Sequence, residues 1–280
     1  MSDARAGHTA SVLSNGKVLV TGGEAISRYN ALKSVELYDP STGSWTVTGN
    51  MTNARFGHTA SVLSNEKVLV TGGSNGFTTL NSAELYDPST GVWTAIGNMT
   101  DARYGHTAST LANGLVLIVG GQNIYITVAL NSAELYDSST DTWTTTGNMS
   151  NARLIHTASV LSNGKVLVTG GWNSFSVINS PELYDPSTGT WATTGNMTIP
   201  RDHSTASVLS NGKVLVTAGD NVNITLSSAE LYDPSTGTWT TTGNMNNARE
   251  HHTASVLSNG KVLITGGWNG ASYLNSAELY

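Results

Sequence analysis

The chain contains no cysteine, and this single absence removes disulfides, thiolate metal centres and cysteine nucleophiles from consideration. Charge is also scarce. Only 11% of its 280 residues are charged, with 13 Lys and Arg against 19 Asp and Glu and a formal net charge of −6. A nucleic-acid partner requires a basic footprint, which this balance does not provide. No run of about 18 apolar residues is present, so no membrane-spanning helix is expected. The start, Met1-Ser2-Asp3-Ala4-Arg5, lacks the apolar core of a signal peptide. The chain reads as cytosolic or as a processed or excised piece of something longer, and localisation stays open. Helical periodicity is missing as well. A hydrophobic content of 38% is too polar for a membrane protein and too apolar for disorder, which leaves a globular chain.

What is present is repetition. The segment from His8 to Gly23 recurs almost letter for letter, with His58, His106, His156, Ser204 and His252 in the place of His8, at steps of 50, 48, 50, 48 and 48 residues. Such periods suit propeller blades of four short strands. The first strand is read over His8 to Leu13 and the second over Lys17 to Thr21, joined at Asn15-Gly16, a pair that predicts a type I′ turn. Val35-Glu36-Leu37-Tyr38 alternates as a third strand. Asp39-Pro40-Ser41-Thr42-Gly43 then turns the chain into a fourth strand that opens with Trp45. The predicted fold is all-β, a single domain over 1–280 with blades at about 4–53, 54–101, 102–151, 152–199, 200–247 and 248–280.

These residues resemble the kelch family. The resemblance rests on the double glycine closing the second strand, as in Gly22-Gly23 and Gly72-Gly73, on the third-strand Tyr (Tyr38, Tyr86, Tyr136, Tyr184, Tyr232, Tyr280), and on the fourth-strand Trp (Trp45, Trp93, Trp143, Trp191, Trp239). It covers essentially the whole chain, with one departure at Ala218-Gly219. A WD40 array fits less well, because the Trp is followed by Thr or Ala and never by Asp, and the period is too long. The resemblance implies a six-bladed propeller with first strands lining the axis. The last unit stops at Tyr280, at the end of its third strand, so the sixth blade should lack its outermost strand. Its open edge is a candidate for self-association. The truncated unit suggests an excised or engineered array.

Comparing the units with one another separates two kinds of turn. The turns between strands 1–2 and 3–4 are nearly constant, whereas the inter-blade turns and the 2–3 loops differ. After each repeated Arg come Ala6-Gly7, Phe56-Gly57, Tyr104-Gly105, Leu154-Ile155, Asp202-His203 and Glu250-His251. The 2–3 loops add Tyr29, Phe77, Tyr125, Trp172, Phe175, Trp268 and Tyr273. Varied, aromatic-bearing loops on a rigid scaffold are where recognition sits. The ligand-binding candidates are Phe56, Tyr104, Tyr125, Trp172, Asp202, His203, Glu250, His251, Trp268 and Tyr273.

The repeated residues read as structure. Arg5, Arg55, Arg103, Arg153, Arg201 and Arg249 match Glu36, Glu84, Glu134, Glu182, Glu230 and Glu278 one to one, as a repeated ion pair would. The histidines equivalent to His8 are expected to bond within or between blades rather than share an ion, since Ser204 interrupts them. No metal and no cofactor are expected. Among kelch-fold relatives, galactose oxidase needs copper and a tyrosine–cysteine cross-link, which a chain without cysteine excludes. A sialidase-type turn is matched only in the Gly and Trp of the segment from Asp39 to Trp45. Asn50, Asn98, Asn148, Asn196 and Asn223 begin glycosylation sequons, four of them copies of one repeat position. The expected function is a non-enzymatic protein-binding scaffold using the variable loops, with no nucleic-acid or membrane partner. The alternative is a lectin-like propeller that binds a glycan. A hydrolase built on Asp202-His203 and Glu250-His251 ranks below both, as does a recently duplicated array without an evolved ligand.

Overall fold

The computed structural model describes residues 1–25 and 30–280, and the loop residue Tyr29 lies outside them. In the first blade, β1 (Thr9–Val12), β2 (Val18–Thr21), β3 (Val35–Asp39) and β4 (Ser44–Val47) pair in sequence order as an antiparallel sheet. The next four blades repeat this order, and the sixth has three strands, Thr253–Val256, Val262–Thr265 and Ala277–Leu279. The described residues contain no helix. Residues Met1–Thr146, with blades 1–3, form one compact unit, and Gly147–Tyr280, with blades 4–6, form another.

The register is the same in every copy. Thr9 faces Thr21, Val18 faces Tyr38, and Tyr38 faces Trp45. The second strand is fully buried in blades 2 to 5, as its unbroken Val-Leu-Val-Thr character requires. The core is not inside a blade but between neighbours. In the first unit, Leu13, Leu19 and Val35 of blade 1 pack with Val68, Val70 and Tyr86 of blade 2 around Met51. In the second, Leu161 and Leu167 meet Val214, Val216 and Tyr232 around Met197. In blades 1 to 5 each Tyr also tilts against the Trp opposite it, with centroids 5.0–5.1 Å apart. Polar tips carry the joint further: Tyr86 Oη bonds Thr48 Oγ1 at 2.8 Å, and Trp93 Nε1 donates to Gly49 O at 2.8 Å.

One turn differs from expectation. The loop between strands 1 and 2 holds three residues, because Leu13 N donates to Lys17 O and Gly16 N donates to Leu13 O. Only Gly16, at φ +79°, is left-handed, so the turn is a three-residue hairpin rather than type I′. Asn15 serves through its side chain, accepting from Lys17 N at 3.0 Å.

Candidate functional site

In antiparallel blades the inter-blade turns and 2–3 loops emerge at the same end of the strands, and here they also pair with one another. Phe56 bridges to Ser74, Tyr104 to Gln122, Leu154 to Trp172, Asp202 to Asp220, and Glu250 to Trp268. The two variable segments of each blade are thus one hydrogen-bonded platform.

The 2–3 loops carry a second recurring device. Asn75 Oδ1 accepts from Phe77 N and Thr78 N, and Asn173 Oδ1 accepts from Phe175 N and Ser176 N, at 2.7–2.9 Å. Asn123, Asn221 and Asn269 cap their loops in the same way. Each turn presents the residue two places after its Asn, which is Phe77, Tyr125, Phe175, Asn223 or Ala271. Phe77 is 80% exposed and Phe175 85%, and their backbone is fixed by a side-chain cap.

In the first unit, Phe56 and Tyr104 meet edge to face at 5.8 Å, and Tyr104 lies where a Cβ on Gly57 would sit. Burial, with a contribution from Glu24, pushes the Tyr104 hydroxyl pKa up. Tyr125 is exposed and donates its hydroxyl to Phe77 O at 3.2 Å. In the second unit, Trp172 in blade 4 and Trp268 in blade 6 are half-buried, and their backbones bridge to Leu154 and Glu250. Trp268 packs edge to face on the exposed Tyr273 at 4.8 Å. Four candidates come together in blades 5 and 6. Asp202, largely buried, accepts from His203 Nδ1 at 3.1 Å, and Glu250 Oε2 lies 3.9 Å from the same nitrogen. The rings of His203 and His251 are 3.9 Å apart. Burial pushes the Glu250 carboxyl up, with His203 opposing and Asp220 and Asp202 adding to the rise. Burial and His203 hold His251 below the usual imidazole range, against a smaller pull from Asp202.

The repeated residues are tied into the frame. Arg55 donates to Gly72 O, Ser82 O and Glu84 Oε1, and Glu84 also accepts from Thr52 N and Asn53 N. All six Arg–Glu pairs close at 2.6–3.0 Å with the Arg side chain fully buried. His58 Nε2 bonds the Thr9 and Thr21 hydroxyls of the preceding blade, and His106 and His252 do the same with their own Thr pairs. At the constant turns, a groove of about 450 Å³ is lined by Val208–Ser210 and Val256–Gly260, none of them titratable.

Two family models match this chain: the Attractin/LZTR1 beta-propeller over residues 1–179, and the KLHDC2/KLHL20/DRC7 Kelch-repeats domain over residues 95–267. The chain belongs to the kelch-repeat β-propeller family. No individual curated protein matches it. Kelch propellers are generally non-enzymatic and typically act as protein-interaction scaffolds. In this kelch chain Phe77 and Phe175, loop aromatics outside the set of binding candidates, are more exposed than the candidates Trp172 and Trp268. The usable signal was the Asn two residues before each presented side chain.

Proposed function

We propose that this propeller is a protein-binding scaffold that engages its partner through the inter-blade turns and 2–3 loops. The observation that carries the reading is the set of exposed aromatics held on capped turns, Phe77 and Tyr125 in one unit and Phe175 in the other. A large apolar side chain left in water on a fixed backbone loses little entropy on binding, which is the character of an interface anchor. The test is selection of peptides from a displayed library against the purified protein. The selected peptides should lose at least about tenfold in affinity, about 1.4 kcal/mol, on Phe77→Ser/Tyr125→Ser or on Phe175→Ser. A control at the constant turns, Thr42→Ala, should leave affinity unchanged. Peptides indifferent to all the loop variants would overturn the reading.

A glycan ligand is the second reading, and the Trp268–Tyr273 pair beside Glu250 favours it, since ring faces next to a carboxylate suit sugars. Selective binding on a glycan array, lost in Tyr273→Ser, would promote it above the peptide reading. A blank array would remove it.

A further inference from the structure

The chain has seven histidines, five at the repeated position just before the first strand of a blade. The other two, His203 and His251, stand second in the inter-blade turn of blades 5 and 6, where the first three blades carry Gly7, Gly57 and Gly105. The backbone is left-handed in every copy. Its φ is 61°, 60° and 65° at the glycines, 55° at Ile155, and 47° and 53° at the two histidines. That conformation suits glycine and is sterically costly with a side chain, so the turn itself gains nothing from histidine. What the turn does is aim both imidazoles alike from adjacent blades, bringing their centroids to 3.9 Å at an interplanar angle of 54°.

The acid next to each histidine completes the group. One ligand atom from each of His203, Glu250 and His251 lies within 4.8 Å of the others. Asp202 accepts from His203 Nδ1 at 3.1 Å, which leaves the imidazole lone pair on Nε2, while Glu250 Oε2 lies 3.9 Å from Nδ1 and must turn toward the Nε2 edge to share an ion with it. Carboxylates orient metal-bound histidines in this manner. The adjacent arginines do not neutralise these acids, because Arg201 and Arg249 are committed to Glu230 and Glu278 at 3.0 and 2.6 Å.

We propose that His203, Glu250 and His251 bind one divalent transition-metal ion of the zinc class at the loop end of blades 5 and 6, with Asp202 as the orienting residue. Imidazole and carboxylate together select Zn²⁺, Co²⁺, Ni²⁺ or Cu²⁺ over Mg²⁺ and Ca²⁺, which favour all-oxygen sites. A tetrahedral ion with bonds of about 2.0–2.2 Å holds its ligands roughly 3.3–3.5 Å apart, so ligand atoms now within 4.8 Å of one another must draw together by side-chain rotation. His251 keeps part of its surface in water although its ring is partly desolvated, so a fourth ligand can reach the ion from solvent. The site does not depend on the scaffold reading, and it adds an anchor that a coordinating side chain or anion of a partner can reach.

The test is titration of the metal-stripped full chain with Zn²⁺ by calorimetry and with Co²⁺ by visible absorption, with Mg²⁺ as control. One equivalent of Zn²⁺ should bind and raise Tm, Co²⁺ should give the d–d bands of a low-coordinate site, and Mg²⁺ should do neither. His203→Gly/His251→Gly restores the residue of the first three blades, so it should keep or raise Tm without metal while losing the Zn²⁺ equivalent. Asp202→Asn should weaken Zn²⁺ binding by about 10–100-fold. The proposal is overturned if wild type takes up no stoichiometric Zn²⁺, or if the double glycine variant binds it equally well.

Discussion

Buried imidazoles link this fold to pH, and His58 is shifted further than His252. His58 is 5% exposed, and burial, helped by the charges of Arg55 and His8, lowers its pKa from 6.5 to about 3 against a weaker backbone bond at Arg55. The ring bonds Thr9 and Thr21 through Nε2 and latches blade 2 to blade 1, and protonation puts a charge into this buried joint. An unfolded chain takes up this proton near pH 6.5 and the folded one near 3, so the unfolded state binds more protons between those values. The contribution is whole above about pH 6.5 and is lost as pH falls, at up to about 1.4 kcal/mol per pH unit. Tm should therefore drop between pH 7.5 and pH 5, and His58→Gln, which cannot titrate, should show a shallower drop; parallel curves would refute the assignment. Ala218 offers a second residue-scale check. It occupies the first-glycine position of its blade at φ +59° with no exposure. Gly22, at the equivalent place, leaves only 2.4 Å between a built Cβ and Arg55 O. Ala218→Gly should stabilise by about 0.5–1 kcal/mol in urea unfolding, the left-handed penalty less the entropy of glycine.

At the scale of elements, a blade separates frame from display. The Arg–Glu pairs and the Tyr–Trp contacts repeat because every blade is built on the same strands in the same register. The loop tips differ because little packs on them. Removing one cap should therefore uncouple display from stability. Asn173→Ala deletes two hydrogen bonds to an exposed loop, at 2.9 and 2.8 Å, and should cost no more than about 1 kcal/mol of stability. Selected peptides that contact Phe175 should nevertheless weaken, because the ring must then be ordered on binding. Unchanged affinity would mean that the cap does not preorganise the loop. This division also explains what could be read from the sequence. Strands, blade count and the missing strand of blade 6 followed from repetition, since six copies of one pattern average out local ambiguity. The type I′ assignment at Asn15-Gly16 failed because two residues were counted where Leu13 and Lys17 bracket three. Trp172 and Trp268 were candidates as loop aromatics, and sequence alone does not show that their backbones bridge to Leu154 and Glu250 or that the residues are half-buried.

For the whole molecule, the apolar core lies between blades, so stability is a sum over joints, and a blade is only as secure as the neighbours that cover it. The pattern of burial makes the terms unequal. The third strand of blade 5, Ala229–Asp233, is largely buried, whereas its counterpart in blade 6, Ala277–Leu279, is mostly exposed. The same ion pair is accordingly dry in one blade and partly wet in another. Arg55–Glu84 has both side chains at 0% exposure, while Glu278, the partner of Arg249, retains 12%. Arg55→Met strands a buried carboxylate and should cost about 3–5 kcal/mol. Arg249→Met leaves Glu278 within reach of water and should cost less than half as much. Amide hydrogen exchange separates the two further. Arg55→Met should lower protection in blade 2 and across its joints with blades 1 and 3, because the latches of His58 and His106 hang on the same frame. Arg249→Met should speed exchange in blade 6 alone, where exposed strands favour local opening. Equal losses at the two sites would mean that the joints share one cooperative transition and that burial of the pair does not set its worth.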